Sequence, residues 1–234
     1  MRKTSAAPAR LEPADLDPLR ALVGHGALDY AHVAATFHFI NRVADLLHVD
    51  PEVLPAGLRR VEPLRRVMVR GASLLMRRMD LRPRPYTTTY EDALAALARL
   101  CARIGRPPPG HALLPLRARP KLIEAIRLRL EERARASLDR ETLARVDRAV
   151  EAALPARAED AEGFHARPQD PVEAFAFVGT RYAQRTTDGT IAALRRAGFD
   201  DLGILDLAIA VADANQWART RRLTNVPADV FSTP

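Results

Sequence analysis

The residues best suited to chemistry gather near the start of the chain, where His25, Asp29 and His32 stand at i, i+4 and i+7 and so share one face of a helix. Two imidazoles with a carboxylate suit either a divalent cation or a proton relay in which Asp29 orients one histidine as a general base. The same spacing also fits a plain helix start, with His25 at the frayed end, Asp29 paired locally and His32 satisfied in the core. Further along, His38, Asn41 and Arg42 form a polar group in an apolar stretch, and Asp213, Asn215, Trp217 and Arg219 form its counterpart near the other end of the chain. Buried polar groups need partners, so these residues either satisfy one another or surround a ligand. A guanidinium makes paired hydrogen bonds to a carboxylate, which makes Arg42 and Arg219 candidates for holding a small anionic molecule. Tyr182, with Arg181, Arg185, Thr186 and Thr187, either closes such a pocket or finishes a helix.

Other chemistries find no support. Cys101 is the single cysteine, which excludes an intramolecular disulfide and a cysteine-based metal site within one chain. Its neighbours Leu94, Leu97, Leu100 and Ile104 give it the spacing of a core position. There is no glycine-rich phosphate loop, no serine-centred nucleophile elbow and no Cys/His zinc spacing, and neither a cofactor nor a metal is assigned.

The elements that must position these residues are helical. Glycines, prolines and cap residues divide the chain into blocks with a 3.6-residue apolar period, and no convincing period-2 strand survives. The expected helices are Gly26 to Leu47, Pro63 to Met79, one opened by a Thr89/Asp92 capping box and stopped at Gly105, Pro120 to Ala136, Arg140 to Leu154 with Asp139 as N-cap, Val172 to Gln184, Asp188 to Ala197 with Gly198 as stop, and Leu202 to Leu223 with Asp200 or Asp201 as N-cap. Pro107 to Gly110 is loop, and the polar stretch Pro155 to Pro171 is either a flexible connection or a wrapped surface loop. The 234 residues and 47% hydrophobic content allow a continuous core. No apolar run approaches the ~20 residues that span a bilayer, and the first 20 residues lack a signal-peptide core, so the expected location is the cytoplasm.

The chain also repeats itself. Setting Gly26 against Gly203 brings two helices into gapless register, and Gly26/Gly203, Leu28/Leu205, Asp29/Asp206, Ala31/Ala208, Ala35/Ala212, Arg42/Arg219, Leu46/Leu223 and Val49/Val226 coincide. An alanine-rich composition gives roughly two or three such matches by chance, which favours a duplication over two similar amphipathic helices. A duplicated unit packs about a pseudo-two-fold axis, placing Asp29 and Asp206, like Arg42 and Arg219, in equivalent positions. Ile209 stands where the second copy would need the mate of His32, which weakens the metal reading.

The segment Gly26 to Val49, with Phe37-His38-Phe39-Ile40-Asn41-Arg42-Val43-Ala44-Asp45 inside it, resembles the long helix of the alkyl hydroperoxidase D-like, or carboxymuconolactone decarboxylase, superfamily. Thr187 to Leu223 is similar to a second segment of that superfamily, through Thr187-Asp188, Leu194 and Ala197-Gly198-Phe199. The resemblance implies an all-helical, frequently oligomeric fold, with members that reduce peroxides through a Cys-x-x-Cys pair. Cys101 is followed by Ala102-Arg103-Ile104 and has no resolving partner, so no redox role carries over. The lactone decarboxylase branch does without that dithiol and leaves acid–base chemistry open.

Of the 36 basic residues only Lys3 and Lys121 are lysines, and nine arginines crowd Leu58 to Pro85 against only Glu62 and Asp80. That block could track phosphates. Leu64, Val67, Met68, Leu74 and Leu75 keep its helix for packing, and few aromatics interleave for base stacking, so nucleic acid is the weaker expectation. The net charge of +7 is within what keeps a small domain soluble.

The expected architecture is an all-α bundle of two pseudo-symmetric repeats, with an extension over 1–20, a first repeat over 21–115 and a second over 116–234, packed as one globular unit. The expected function is acid–base catalysis on, or binding of, a small anionic molecule in a homo-oligomer without membrane contact. His25, Asp29, His32 and His38 are the catalytic candidates. Asn41, Arg42, Asp206, Asp213, Asn215, Trp217, Arg219 and Tyr182 are the ligand candidates. The alternative is a helical scaffold, or a nucleic-acid-associated protein using the arginine block.

Overall fold

The computed structural model describes residues 10–48, 87–155, 169–227 and 230. The chain divides into two compact units, residues 1–48 with 88–234 and residues 49–87. All elements described belong to the first unit; the expected helix Pro63 to Met79 and the arginine block lie outside the described residues.

Eight α-helices follow one another, with no strand among the described residues: α1 (Asp17–Val23), α2 (Ala27–Leu46), α3 (Tyr90–Arg103), α4 (Pro120–Arg135), α5 (Arg140–Ala153), α6 (Pro171–Arg181), α7 (Asp188–Arg196) and α8 (Asp201–Thr224). The all-α class is what the apolar period asks for. Side chains rather than propensity set the helix starts, because the first amides of a helix have no intrahelical acceptor. Thr89 and Asp92 form the expected capping box, Asp139 accepts from Thr142 N–H, and Asp170 accepts from Val172 and Glu173 N–H. Thr187 and Asp200 do the same for α7 and α8. Gly198, at φ 96°, closes α7 in a left-handed conformation that costs glycine little.

Two boundaries differ from expectation. The helix expected to reach Gln184 stops at Arg181, where Tyr182 turns to φ −146° before a short 3₁₀ turn, Ala183–Arg185. Tertiary donors replace the missing helical ones: Arg42 donates to the carbonyls of Gly179 and Thr180, and His48 Nε2 sits 2.6 Å from that of Thr186. The N-terminal segment also carries structure, a 3₁₀ turn Pro13–Leu16 leading into α1, because Pro13 and Pro18 occupy first-turn positions and Glu12 and Asp15 cap reciprocally.

Helix α8 is the axis of the unit. Ile204, Leu207, Ala208, Val211, Ala214, Trp217, Ala218 and Leu223 are buried around its circumference, the mark of an enclosed helix. Helix α2 packs along it antiparallel: Leu28 and Ala31 lie by Leu223, His32 by Trp217, Thr36 by Gln216, and Leu46 in the cluster of Leu207 and Val211. Helices α5, α6 and α7 bury Val146, Val150, Phe175 and Leu194 against one part of α8, while α3 and α4 bury Leu97, Leu100, Ile123 and Ile126 in a second cluster with Trp217. No helix among the described residues is long and apolar enough to cross a membrane.

Candidate functional site

The candidate residues separate into three places along α2 and α8. In the first, α2, α6 and α8 meet in a chain of polar contacts. Arg42 Nη1 donates to the carbonyl oxygens of Gly179 and, at 2.8 Å, Thr180, two of the carbonyls left without helical donors where α6 ends. Asn215, fully buried, donates Nδ2 to Thr180 Oγ1 at 2.9 Å and to its own helix at Val211 O, and Arg219 Nη1 donates to Asn215 O and Oδ1 at 2.8 and 3.0 Å. Positive charge accumulates here. Burial, then the guanidiniums of Arg219 and Arg42, hold the His38 imidazole down to about 4, so it is neutral at physiological pH. Burial pulls Arg42 to about 10, against the help of Asp45, and burial with Arg42 and Arg222 pulls Arg219 to about 9. Among the described residues, Arg42 Nε is enclosed with no hydrogen-bond partner.

The second place is the N-terminal half of α2. Asp29 is paired with Arg119 at 3.1 Å, and the His32 ring is tilted against Trp217 with centroids 5.3 Å apart. Burial lowers the His32 imidazole despite Asp29, and its Nδ1 has no hydrogen-bond partner among the described residues. His25 belongs to the 3₁₀ turn Gly24–Gly26; its side chain is outside what the structure describes. No group of three His, Cys, Asp or Glu able to hold a metal occurs among the described residues.

The third place is a cleft of about 510 Å³ between α2, α4, the start of α5 and α8. Phe39, Leu138, Leu143, Ile209 and Ala210 supply its apolar walls. Arg129, Arg133 and Asp213 line it too, as members of an ion quartet whose arginines are buried and whose aspartates are partly exposed. Arg129 Nε donates to both Asp213 oxygens at 2.8 and 3.0 Å, and Arg133 Nη1 reaches Asp213 at 3.2 Å. Arg133 also grips Asp147 of α5 with two hydrogen bonds, at 3.0 and 2.9 Å. Both arginines are under a tenth exposed, so the aspartates supply the compensation that burying a guanidinium requires. The Arg129 guanidinium lies 5.7 Å from the centroid of Trp217. Asp206 accepts a hydrogen bond from Ser137, and Glu132 and Arg135 complete the polar lining.

Of the residues singled out from the sequence, only Asp206 and Asp213 line this cleft. Arg42, Asn215, Arg219 and His38 share the first place, while Trp217 lies between His32 and Arg129. Asn41 is exposed, and Tyr182 is buried beneath the guanidiniums of Arg181 and Arg185 at 5.5 and 5.0 Å. Cys101 is wholly enclosed among α3 and α4 side chains, and burial raises its thiol.

Sequence reasoning passed over Arg129, Arg133, Asp147, Ser137 and Glu132. A signal for the arginines was present: Leu122, Ile126, Arg129, Leu130 and Arg133 follow one apolar helical period, and an arginine in such a stripe implies a buried carboxylate partner. Asp147 gives no such signal, because its pairing depends on how α5 docks on α4. Comparison of the chain with protein-family models, with curated proteins and with solved structures finds no match.

Proposed function

We propose that this chain is a small-molecule-binding protein that takes its ligand in the cleft beside α8. The observation that carries the reading is the combination of apolar walls with a floor braced by the ion quartet. Its volume of about 510 Å³ falls within the range of small-ligand sites, which are concave, mostly apolar and largely pre-formed. The quartet ties α4, α5 and α8 together, so a ligand meets a surface that needs little ordering. Binding rather than turnover suits these groups, since Arg129 and Arg133 are engaged by aspartates and His32 and His38 do not line the cleft.

Membership of the alkyl hydroperoxidase D-like superfamily, as a tandem repeat without the dithiol, is part of the same proposal. The antiparallel packing of α2 on α8 supports it, being the arrangement two copies related by a pseudo-two-fold axis would adopt. A cytoplasmic homo-oligomer is the assembly this reading carries.

The test is saturable binding of a neutral apolar fluorophore, N-phenyl-1-naphthylamine, to the native protein. One site per chain is expected, abolished by Ile209→Trp, which fills the cleft from a half-exposed wall position. Unchanged binding to a folded Ile209→Trp protein, or no saturable binding to the native one, would overturn the reading.

A further inference from the structure

Charge around the cleft is not matched evenly. Six charged side chains line it: Arg129, Arg133 and Arg135, with Glu132, Asp206 and Asp213. The two buried arginines have their countercharges in Asp213 and in Asp147, which is not among the lining residues. Arg135, which is exposed, lies 2.8 Å from Glu131, again not a lining residue and a carboxylate it shares with Arg103 and Arg127. Each lining arginine thus has a carboxylate partner, and Asp206 and Glu132 are the lining carboxylates that none of them engages. Asp206 accepts only the Ser137 hydroxyl, a neutral donor, and no cationic side chain among the described residues pairs with Glu132. Apolar walls of Phe39, Leu138, Leu143 and Ile209 therefore stand beside two carboxylates without a cation.

We infer that the cleft selects an organic cation, an apolar body carrying a protonated amine, with the ammonium group recognised by Asp206 and Glu132. The inference rests on the cleft being a binding site, as proposed above, and adds the chemical class of the ligand. An ammonium group is a compact donor of several N–H bonds and fits acceptor-only carboxylates, whereas a carboxylate ligand would meet two like charges and find both buried guanidiniums engaged. A protein with net charge +7 has no general attraction for cations, so a preference for one would originate locally.

The experiment compares three ligands of one shape, 4-phenylbutylamine, 4-phenylbutanol and 4-phenylbutyrate, as competitors of N-phenyl-1-naphthylamine on the native protein at low salt. The amine is expected to displace the fluorophore about tenfold more effectively than the alcohol, and the acid least, with the amine's advantage shrinking as salt rises. Asp206→Asn, which retains an acceptor for Ser137, and Glu132→Gln, at an exposed position, should each narrow the amine's advantage over the alcohol. If the alcohol competes as well as the amine, or the variants leave the amine's advantage intact, the charge inference fails and the binding reading stands. If the fluorophore itself does not bind, both fail together.

Discussion

At the scale of single residues, the positive centre on α2 and α8 shows how one polar pattern serves two readings until partners are known. Arg42 resembles a ligand-binding guanidinium in the sequence, yet its Nη1 is directed at the carbonyls ending α6, which have no helical donor. Its neighbour His38 carries a pH signature. The folded protein holds His38 at about 4 while the unfolded chain protonates near 6.5, so the neutral ring's stabilisation is complete above about pH 6.5 and is lost as pH falls toward 4. The loss attributable to His38 is on the order of 1–2 kcal/mol, discounted for its half exposure. Urea midpoints at pH 7.5 and 4.5 should drop less in His38→Asn than in the native protein, with His32, lowered in the same direction, keeping part of the drop.

At the scale of elements, the crossing of α6 with α2 and α8 depends on the absence of a side chain at Gly179. A Cβ there would meet Val211 Cγ1 at 2.7 Å and the Leu46 methyl carbons at 3.1 and 3.2 Å. Val211 and Leu46 are both fully buried, and the branched valine has little rotamer freedom to withdraw. Gly179→Ala should therefore destabilise by about 1–3 kcal/mol, as overpacking does, even though alanine is the better helix former. A urea midpoint equal to the native one would show that the helices can move apart. The residues framing this contact were legible in the sequence as an apolar helical period; the contact was not, because nothing local distinguishes a glycine at a crossing from one on a surface.

At the scale of the whole molecule, α8 acts as a shared wall, contributing to three apolar clusters among the described residues, with an ion quartet joining it to α4 and α5. Removing one charge from the quartet leaves a buried guanidinium short of its countercharge. Asp213→Ala would leave Arg129 and Arg133 buried with Asp147 as the remaining carboxylate of the quartet, which reaches Arg129 at 4.0 Å. Losing one partner of a buried ion pair costs about 3–5 kcal/mol, so the variant should melt well below the native protein. A shift no larger than that of an exposed control, Arg195→Ala, would mean that water compensates the quartet. The cleft shares this fate, since Arg129, Arg133 and Asp213 all line it.

By itself the sequence determined the all-helical class, the caps at Thr89 and Asp139, the choice of Asp200 or Asp201 for the last helix, which the structure resolves to Asp200, and the stop at Gly198. Those depend on contacts within a few residues, and the chemistry of an N-cap or a left-handed glycine is visible in a short window. Tertiary structure decided which polar residues meet. Asp29 lies with Arg119, Asp206 with Ser137, Asp213 with Arg129, and Arg42 with the end of α6. Each of these pairs joins residues at least 69 positions apart, brought together by burial of apolar helix faces. Helical period identifies the face a residue occupies; only the packing of one helix on another supplies the residue opposite.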